Sequence, residues 1–240
     1  MAFSWFRRSR LSLDAPRLRP RREKKARVAG DLAEIAPELR QFLSQAACIQ
    51  LGFFERLSRL VASVPDLAAK EAIGQAAVSA FGRYQRVVAE LRRLGHDPER
   101  EMSAYFGAIA AFERTTAGHD WTEQVIAAHL CGGFLDDFFS ALSRGVAADG
   151  VRDLPGLFAV DRAVGRALEE LLRRTLEGDE KLASRLAMWG RRLIGDTLLV
   201  ARSTLRLTGD ADADDPHLEP LFAEVIAAHT RRMDALGLTA

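Results

Sequence analysis

The stretch AVSAFGRYQRVVAELRRLG, residues 77–95, has the spacing of a long helix that packs one face against a core. Apolar side chains recur every three or four residues on that face, at Ala80, Tyr84 and Val87, and Ala76 just before the stretch continues the line. Gly95 suits the end of the helix, because glycine tolerates the backbone conformation that often follows a last turn. Gly82 and Arg83 lie in the middle of the stretch, where a cation is costly unless it is paired. The stretch therefore predicts a core helix with a charged group that needs a partner.

The same helical spacing continues over most of the chain and predicts an all-α protein. Apolar faces alternate with capping residues, prolines and glycines that start and stop helices. The predicted helices cover residues 37–63, 66–94, 98–116, 121–148, 157–177, 180–207 and 217–236. No alternating strand pattern competes with them. Long helices joined by short connections are typical of an antiparallel bundle.

Composition places the chain among globular proteins of a reducing compartment. Its 240 residues are 48% apolar, which is enough for a sizeable core. Cys48 and Cys131 lie far apart in apolar surroundings, so we expect buried thiols. The sequence has no apolar run of about 18 residues and no secretory signal pattern. We therefore expect a cytoplasmic protein.

The net charge of +1 conceals a basic N-terminal tail on an acidic body. Residues 1–30 carry 10 Lys or Arg and 2 Asp or Glu, whereas residues 31–240 carry 24 and 31. The pattern predicts a disordered tail and one helical domain. The tail is a solvated arm, a contact for RNA or an anionic membrane, or a segment docked on the acidic body. The cations available for such a contact are Arg7, Arg8, Arg10, Arg17, Arg19, Arg21, Arg22, Lys24, Lys25 and Arg27.

The search for catalytic motifs finds none. Helix bundles build metal sites from carboxylates and Glu-x-x-His pairs, and no histidine of this chain has a glutamate three residues before it. His129 precedes Asp136 and Asp137 by seven and eight residues, which favours a hydrogen-bonded core or surface histidine over a ligand. Asp214 and His217 straddle a proline beside a polar stretch, which predicts a turn. Phosphate loops, zinc clusters and nucleophile elbows are also missing.

Several stretches resemble the bacterial ferritin-like proteins similar to MiaE, the tRNA methylthio-isopentenyladenosine hydroxylase. The stretches are Phe54-Glu55-Arg56-Leu57, Leu94-Gly95-His96-Asp97-Pro98-Glu99 with Met102, Ala111-Phe112-Glu113-Arg114-Thr115, Leu186-Ala187-Met188-Trp189-Gly190-Arg191-Arg192-Leu193, and His229-Thr230-Arg231-Arg232-Met233 with Leu236-Gly237-Leu238. The resemblance covers about residues 37–240 and excludes the tail. It implies a ferritin-like four-helix bundle with additional helices, within residues 31–240.

The resemblance also implies a depleted metal site. Metal-binding members of this class hold two irons with glutamates and Glu-x-x-His pairs, and the matched positions here are Gln50, Ala80, Arg83, Asp137 and a fourth-helix position near Val164, with Asp161 and Glu169 the nearest acids. Two iron ions need several anionic oxygens, which Gln, Ala and Arg do not supply. We therefore expect no cofactor, no catalytic residues, and a structural, interaction or regulatory role. The alternatives are a di-iron hydroxylase related to the tRNA-modifying enzymes, and a nucleic-acid-binding protein that uses its tail.

The interpretation of Arg83 decides among these alternatives. In the first interpretation, Arg83 forms an internal ion pair with Asp137, or with Asp161 or Glu169, where the resemblance implies that metal once lay. Gly82 then lets a neighbouring helix approach. Otherwise Arg83 extends to the edge of the bundle and Gln50 is a core amide, or metal binds elsewhere. The sequence names no partner and is compatible with a homo-oligomer.

Overall fold

A computed structural model describes residues 32–159, 162–207 and 211–238, with side chains of the last range from residue 216 onward. These residues form helices and contain no strand, which confirms the all-α prediction. The helices are α1 (Leu39–Ser63), α2 (Leu67–Arg93), α3 (Pro98–Thr115), α4 (Trp121–Leu142), the short α5 (Leu154–Leu157), α6 (Arg162–Leu176), α7 (Glu180–Ser203) and α8 (Ala211–Ala235). The basic tail and Asp161 lie outside the described residues.

Four of the helices, α1, α2, α4 and α6, form the central bundle. α1 packs on α2 and α4, and α6 packs on the same two helices, so the four close into a ring. The connection between α1 and α2 spans only residues 64–66, which makes these two helices antiparallel neighbours. α3 packs outside α1, whereas α7 and α8 pack against α4. The architecture is a four-helix bundle with additional helices.

Aspartate side chains start the long helices where capping patterns predict them. Asp66 accepts a hydrogen bond from the backbone N–H of Ala69 at 2.8 Å, and Asp120 accepts one from Glu123 at 2.9 Å. Each bond satisfies a donor that the first turn of a helix otherwise leaves unpaired. At the other end of α2, Gly95 has φ +83°, the left-handed conformation that favours glycine.

α4 is the central helix and is buried on most of its faces. It is the one helix in the described parts of the chain that is long and apolar enough to cross a membrane. Most of its apolar window is buried inside the bundle, as is usual for the core helix of a helical domain.

The structure corrects several predicted helix ends, and tertiary contacts explain most of the differences. α7 stops at Ser203 instead of 207, because the backbone N–H of Arg206 donates to Ile35 O at 2.9 Å and the chain there packs on the first described residues. α4 ends at 142 instead of 148, and Gly145 then lies directly against Leu32. The predicted helix at 157–177 begins at Arg162, after the separate short α5.

The predicted turn between Asp214 and His217 is also wrong. α8 begins at Ala211 and runs through Pro216 and Pro220. Each proline removes one helical hydrogen bond. Burial of Leu218, Leu221 and Val225 against the bundle stabilises the helix despite these losses.

The apolar core consists of two clusters that meet at one level of the bundle. Phe53 and Ala80 belong to the first cluster, and Leu57 and Ala76 belong to the second. These four residues line one cleft. The candidate site therefore lies where the two halves of the core meet.

Candidate functional site

A closed ring of three polar side chains joins α1, α2 and α4. Arg83 Nε donates to Gln50 Oε1 at 2.9 Å, and Gln50 Nε2 donates to Asp136 Oδ1 at 3.0 Å. Arg83 Nη2 lies 3.2 Å from Asp136 Oδ2 and closes the ring. Arg83 and Asp136 side chains are 11% and 12% exposed, and Gln50 is 4% exposed. The amide thus uses its oxygen for the cation and its nitrogen for the anion.

The acid that pairs with Arg83 is not the one that the sequence suggested. We expected Asp137, with Asp161 or Glu169 in reserve, and the structure assigns this position to Asp136. Successive residues of a helix point about 100° apart, so only one of the two aspartates can face Arg83. Glu169 lines the adjacent cleft from α6 without an ion pair to Arg83.

Asp137 has a different partner, Arg232 of α8. Arg232 Nη2 lies 2.6 Å from Asp137 Oδ2. The guanidinium lies close against α4 because Gly133 has no side chain, and a Cβ at this position would come within 2.4 Å of Arg232 Nε. Nothing in the local sequence around Asp137 indicates this contact, because Arg232 lies on the last helix of the chain.

Gly82 does not serve the helix approach that we expected. A Cβ built on this residue would have only Arg86 Nη1 nearby, at 3.8 Å. The α2 backbone at Gly82 is therefore open, and the prediction of a close helix crossing there is wrong.

A cleft of about 690 Å³ lies beside the ring, between α2, α4 and α6. The cleft is wide because small residues line its walls, namely Ala76 and Ala80 on α2 and Ala128, Gly132 and Gly133 on α4. Ala80 itself is buried, one turn of α2 before Arg83. Four of the predicted positions, Ala80, Arg83, Asp137 and Glu169, thus line the same cleft. Gln50 contacts the cleft through Arg83.

His129 forms part of the cleft wall and differs from its prediction. It is 8% exposed, and its Nε2 has no hydrogen-bond partner among the described residues. Burial, with smaller contributions from Arg232 and His229, lowers the pKa of His129 to about 4. Burial and Arg232 also lower the pKa of His229 to about 4. Both imidazoles are therefore neutral near pH 7, and His129 is a buried histidine with an unsatisfied nitrogen.

The donor set around the cleft does not fit a pair of metal ions. Within the described residues, no group of three or more His, Cys, Asp or Glu side chains has the arrangement of a metal site. Asp136 and Asp137 each engage an arginine instead. Arg83 also adds a positive charge to the wall of the cleft, whereas a pair of metal ions needs several anionic oxygens.

Two of the quoted sequence stretches meet in a buried ion pair outside this cleft. Arg56 Nε lies 2.5 Å from Glu113 Oε2, and Arg56 Nη2 donates to Thr116 Oγ1 at 2.6 Å. Burial raises the pKa of Glu113, and Arg56 opposes this shift. The pair fastens α3 to α1 and so supports the wall of the bundle.

Comparison with known proteins agrees with this architecture. No curated protein matches the chain. The sequence model of one family, described as "Ferritin-like domain, actinomycetes", matches residues 37–213, which is well over half of the chain. The match begins just before α1 and includes all four helices of the bundle. On this match and this fold, the chain belongs to the actinomycete ferritin-like domain family.

Proposed function

We propose that this protein is a ferritin-like bundle in which an ion-paired network takes the place of a di-metal centre. The observation that carries the proposal is the ring of Gln50, Arg83 and Asp136. The Arg83 guanidinium binds both the Gln50 amide oxygen and the Asp136 carboxylate. These are the only oxygen atoms in the ring that could act as metal ligands. A metal ion at this place would have to displace a paired cation.

The proposal assigns the protein a structural, interaction or regulatory role instead of di-iron hydroxylation. The quoted resemblance to MiaE-like proteins supports a common origin with that hydroxylase class. The residues that stand at its ligand positions, Gln50, Ala80 and Arg83, support the loss of its chemistry. We propose that Asp137, Asp161 and Glu169 are remnants of the same ligand set.

Metal analysis of the purified, untagged protein tests this proposal. Cells are grown with added iron, and the metal content is measured by inductively coupled plasma mass spectrometry. We expect less than about 0.1 iron per chain, because a bound cation has no anionic ligand set to neutralise it. Near-stoichiometric iron or another transition metal would overturn the proposal and favour a di-iron oxygenase.

A variant that restores the ligand types gives the matched comparison. Gln50→Glu, Ala80→Glu and Arg83→His together remove the internal cation and add two carboxylates and an imidazole. We expect the triple variant to retain more iron than the parent chain after the same purification. A parent chain that binds as much iron as the triple variant contradicts the proposed role of Arg83.

A further inference from the structure

The floor of the cleft is apolar and is large enough for a small molecule. Its volume of about 690 Å³ lies within the range of ligand pockets, about 300–1,000 Å³. Phe53, Leu57, Ala76, Ala80 and Leu168 form this floor, and all five are buried residues of the two core clusters. A ligand with an apolar part would cover this surface.

The rim of the cleft carries positive charge that the described residues do not neutralise. Arg162 and Arg166 lie one turn apart on α6 and line the cleft. Both are exposed, and neither has an ion pair with any residue that the structure describes. Arg83 and Arg232 already hold Asp136 and Asp137.

Charge bookkeeping over the lining residues gives an excess of one cation. The lining contains four arginines, namely Arg83, Arg162, Arg166 and Arg232, and three acids, namely Asp136, Asp137 and Glu169. Glu169 is the only one of these acids outside an ion pair in the described structure. The cleft therefore complements an anion better than a cation or a neutral ligand.

Two buried nitrogens beside the cleft also lack partners. Arg232 Nη1 and His129 Nε2 make no hydrogen bond within the described residues, although both side chains line the cleft. A buried polar group without a partner destabilises the fold, because it loses its hydrogen bonds to water and gains none in return. An acceptor oxygen that enters from the cleft would relieve this cost for the guanidinium.

We propose that this cleft binds a small organic anion. A carboxylate, sulfonate or phosphate head lies against Arg166, Arg162 and Arg232, and the apolar part of the ligand lies on the alanine-lined floor. The inference deepens the proposed function, since it names the class of ligand that the metal-free cleft takes. It rests on that function because a di-metal centre would take its ligands from the same cleft walls and would fill the space of the anion.

A pair of fluorescent probes that differ only in charge tests the proposal. The anionic probe is 8-anilinonaphthalene-1-sulfonate, and the neutral probe is N-phenyl-1-naphthylamine. We expect saturable binding of one anionic probe per chain, at least about tenfold tighter than the neutral one, which corresponds to one well-placed charge contact. Equal affinities would mean a general apolar surface, and non-saturable binding would mean no site. Either result overturns the proposal.

A plug variant locates the binding. Gly165 lies on α6 and lines the cleft, and a Cβ there would meet nothing within 4 Å. Gly165→Phe therefore fills the cleft without a backbone clash and should abolish saturable binding of the anionic probe. Gly107→Phe is the matched control, because Gly107 also lies in a helix with nothing within 4 Å and is not part of the cleft. Unchanged binding in Gly165→Phe, with the native helix content confirmed by circular dichroism, places the probe elsewhere and refutes the site.

A charge variant tests the role of the rim. Arg166→Gln should weaken binding of the anionic probe by about three- to tenfold and leave the neutral probe unchanged, because it removes one charge contact. Arg100→Gln on α3, also exposed and outside the cleft, should change neither. Equal loss of both probes in Arg166→Gln would contradict charge recognition.

The outcomes of these measurements separate the two proposals. Probe binding without iron supports both, and iron-free protein without saturable probe binding refutes only the anion site. Stoichiometric iron refutes the proposed function whatever the probes do.

Discussion

Arg83 is a cation inside a helix bundle, and its neighbours determine what its removal does. Its guanidinium bonds to an amide oxygen and to a carboxylate, and both partners are mostly buried. Without the guanidinium, the Asp136 carboxyl would lie in a poorly solvated place with only Gln50 as a hydrogen-bond partner. Breaking such a pair from one side is expensive because an uncompensated charge remains.

Arg83→Ala should therefore lower the free energy of unfolding by about 3–5 kcal/mol. Urea denaturation followed by circular dichroism measures the change. Arg59→Ala is the control, since Arg59 and Glu55 are 70% and 55% exposed and such pairs contribute less than about 1 kcal/mol. If Arg83→Ala were as mild as this control, the ring would not act as a buried ion pair.

The two neutral histidines make stability depend on pH. In the folded protein their pKa values are about 4, and in the unfolded chain they are about 6.5. Between these values the unfolded state binds more protons, so acidification favours unfolding. The free energy of unfolding should fall by up to about 1.4 kcal/mol per pH unit for each histidine as pH drops from about 6.5 to 4.

His129→Gln isolates one of these contributions, because glutamine does not titrate. We expect a shallower fall in stability over the same pH range, measured by urea denaturation at each pH. The other ionisable groups remain in both proteins, so they cancel in the difference. Parallel pH profiles for the two proteins would contradict a buried neutral His129.

At the scale of helices, the stretches that carry the family resemblance are packing contacts. Arg56 and Glu113 come from two such stretches and form the buried pair between α1 and α3. Gly190 and Met233 come from two others, and a Cβ on Gly190 would come within 2.7 Å of Met233 Sδ. These stretches therefore determine how the outer helices dock on the bundle.

Two adjacent glycines of α4 give a direct test of this docking. Gly133→Ala would place a Cβ 2.4 Å from Arg232 Nε and push the guanidinium away from Asp137. We expect a loss of about 1–2 kcal/mol in unfolding free energy.

Gly132→Ala is the matched control on the same helix. Its Cβ would lie at an ordinary 3.6 Å from the Phe53 ring, and alanine favours the helix by up to about 1 kcal/mol. This variant should be neutral or more stable in the same urea titration. A reversed order of the two variants would show that Arg232 does not depend on Gly133.

The helices themselves were largely predictable, because each has an apolar face and most begin at an aspartate. The orientation of Asp136 and Asp137 was not predictable. α4 is buried on most of its faces, so its apolar pattern does not indicate which direction faces α2. The contacts of Arg232 depend on how α8 packs on α4, and no local spacing in the sequence predicts this packing.

At the scale of the whole molecule, the first described residues belong to the core. Leu32, Ile35 and Ala36 are buried, and Ile35 O accepts a hydrogen bond from Arg206 N. The division that we expect between tail and domain, after residue 30, thus lies just before buried side chains.

Two truncations test this boundary. Removal of residues 1–30 should change the unfolding free energy by less than about 1 kcal/mol. Removal of residues 1–36 should cost about 3–5 kcal/mol, since burial of each large apolar side chain contributes about 1.5–3 kcal/mol. Thermal and urea unfolding of both proteins measure the difference. A large loss from the shorter truncation would mean that the basic tail is structural.

The meeting of the two core clusters at the cleft has a consequence for hydrogen exchange. Each cluster is a continuous apolar unit, and the open cleft interrupts the packing of one on the other where residues of both line it. Cooperative units of this kind open separately and with different free energies. Amide protons of Ile73 and Leu172, in the second cluster, should then exchange through a different opening from those of Phe42 and Phe138, in the first. A ligand that filled the cleft would contact both clusters, and the two sets of amide protons should then exchange through one shared opening.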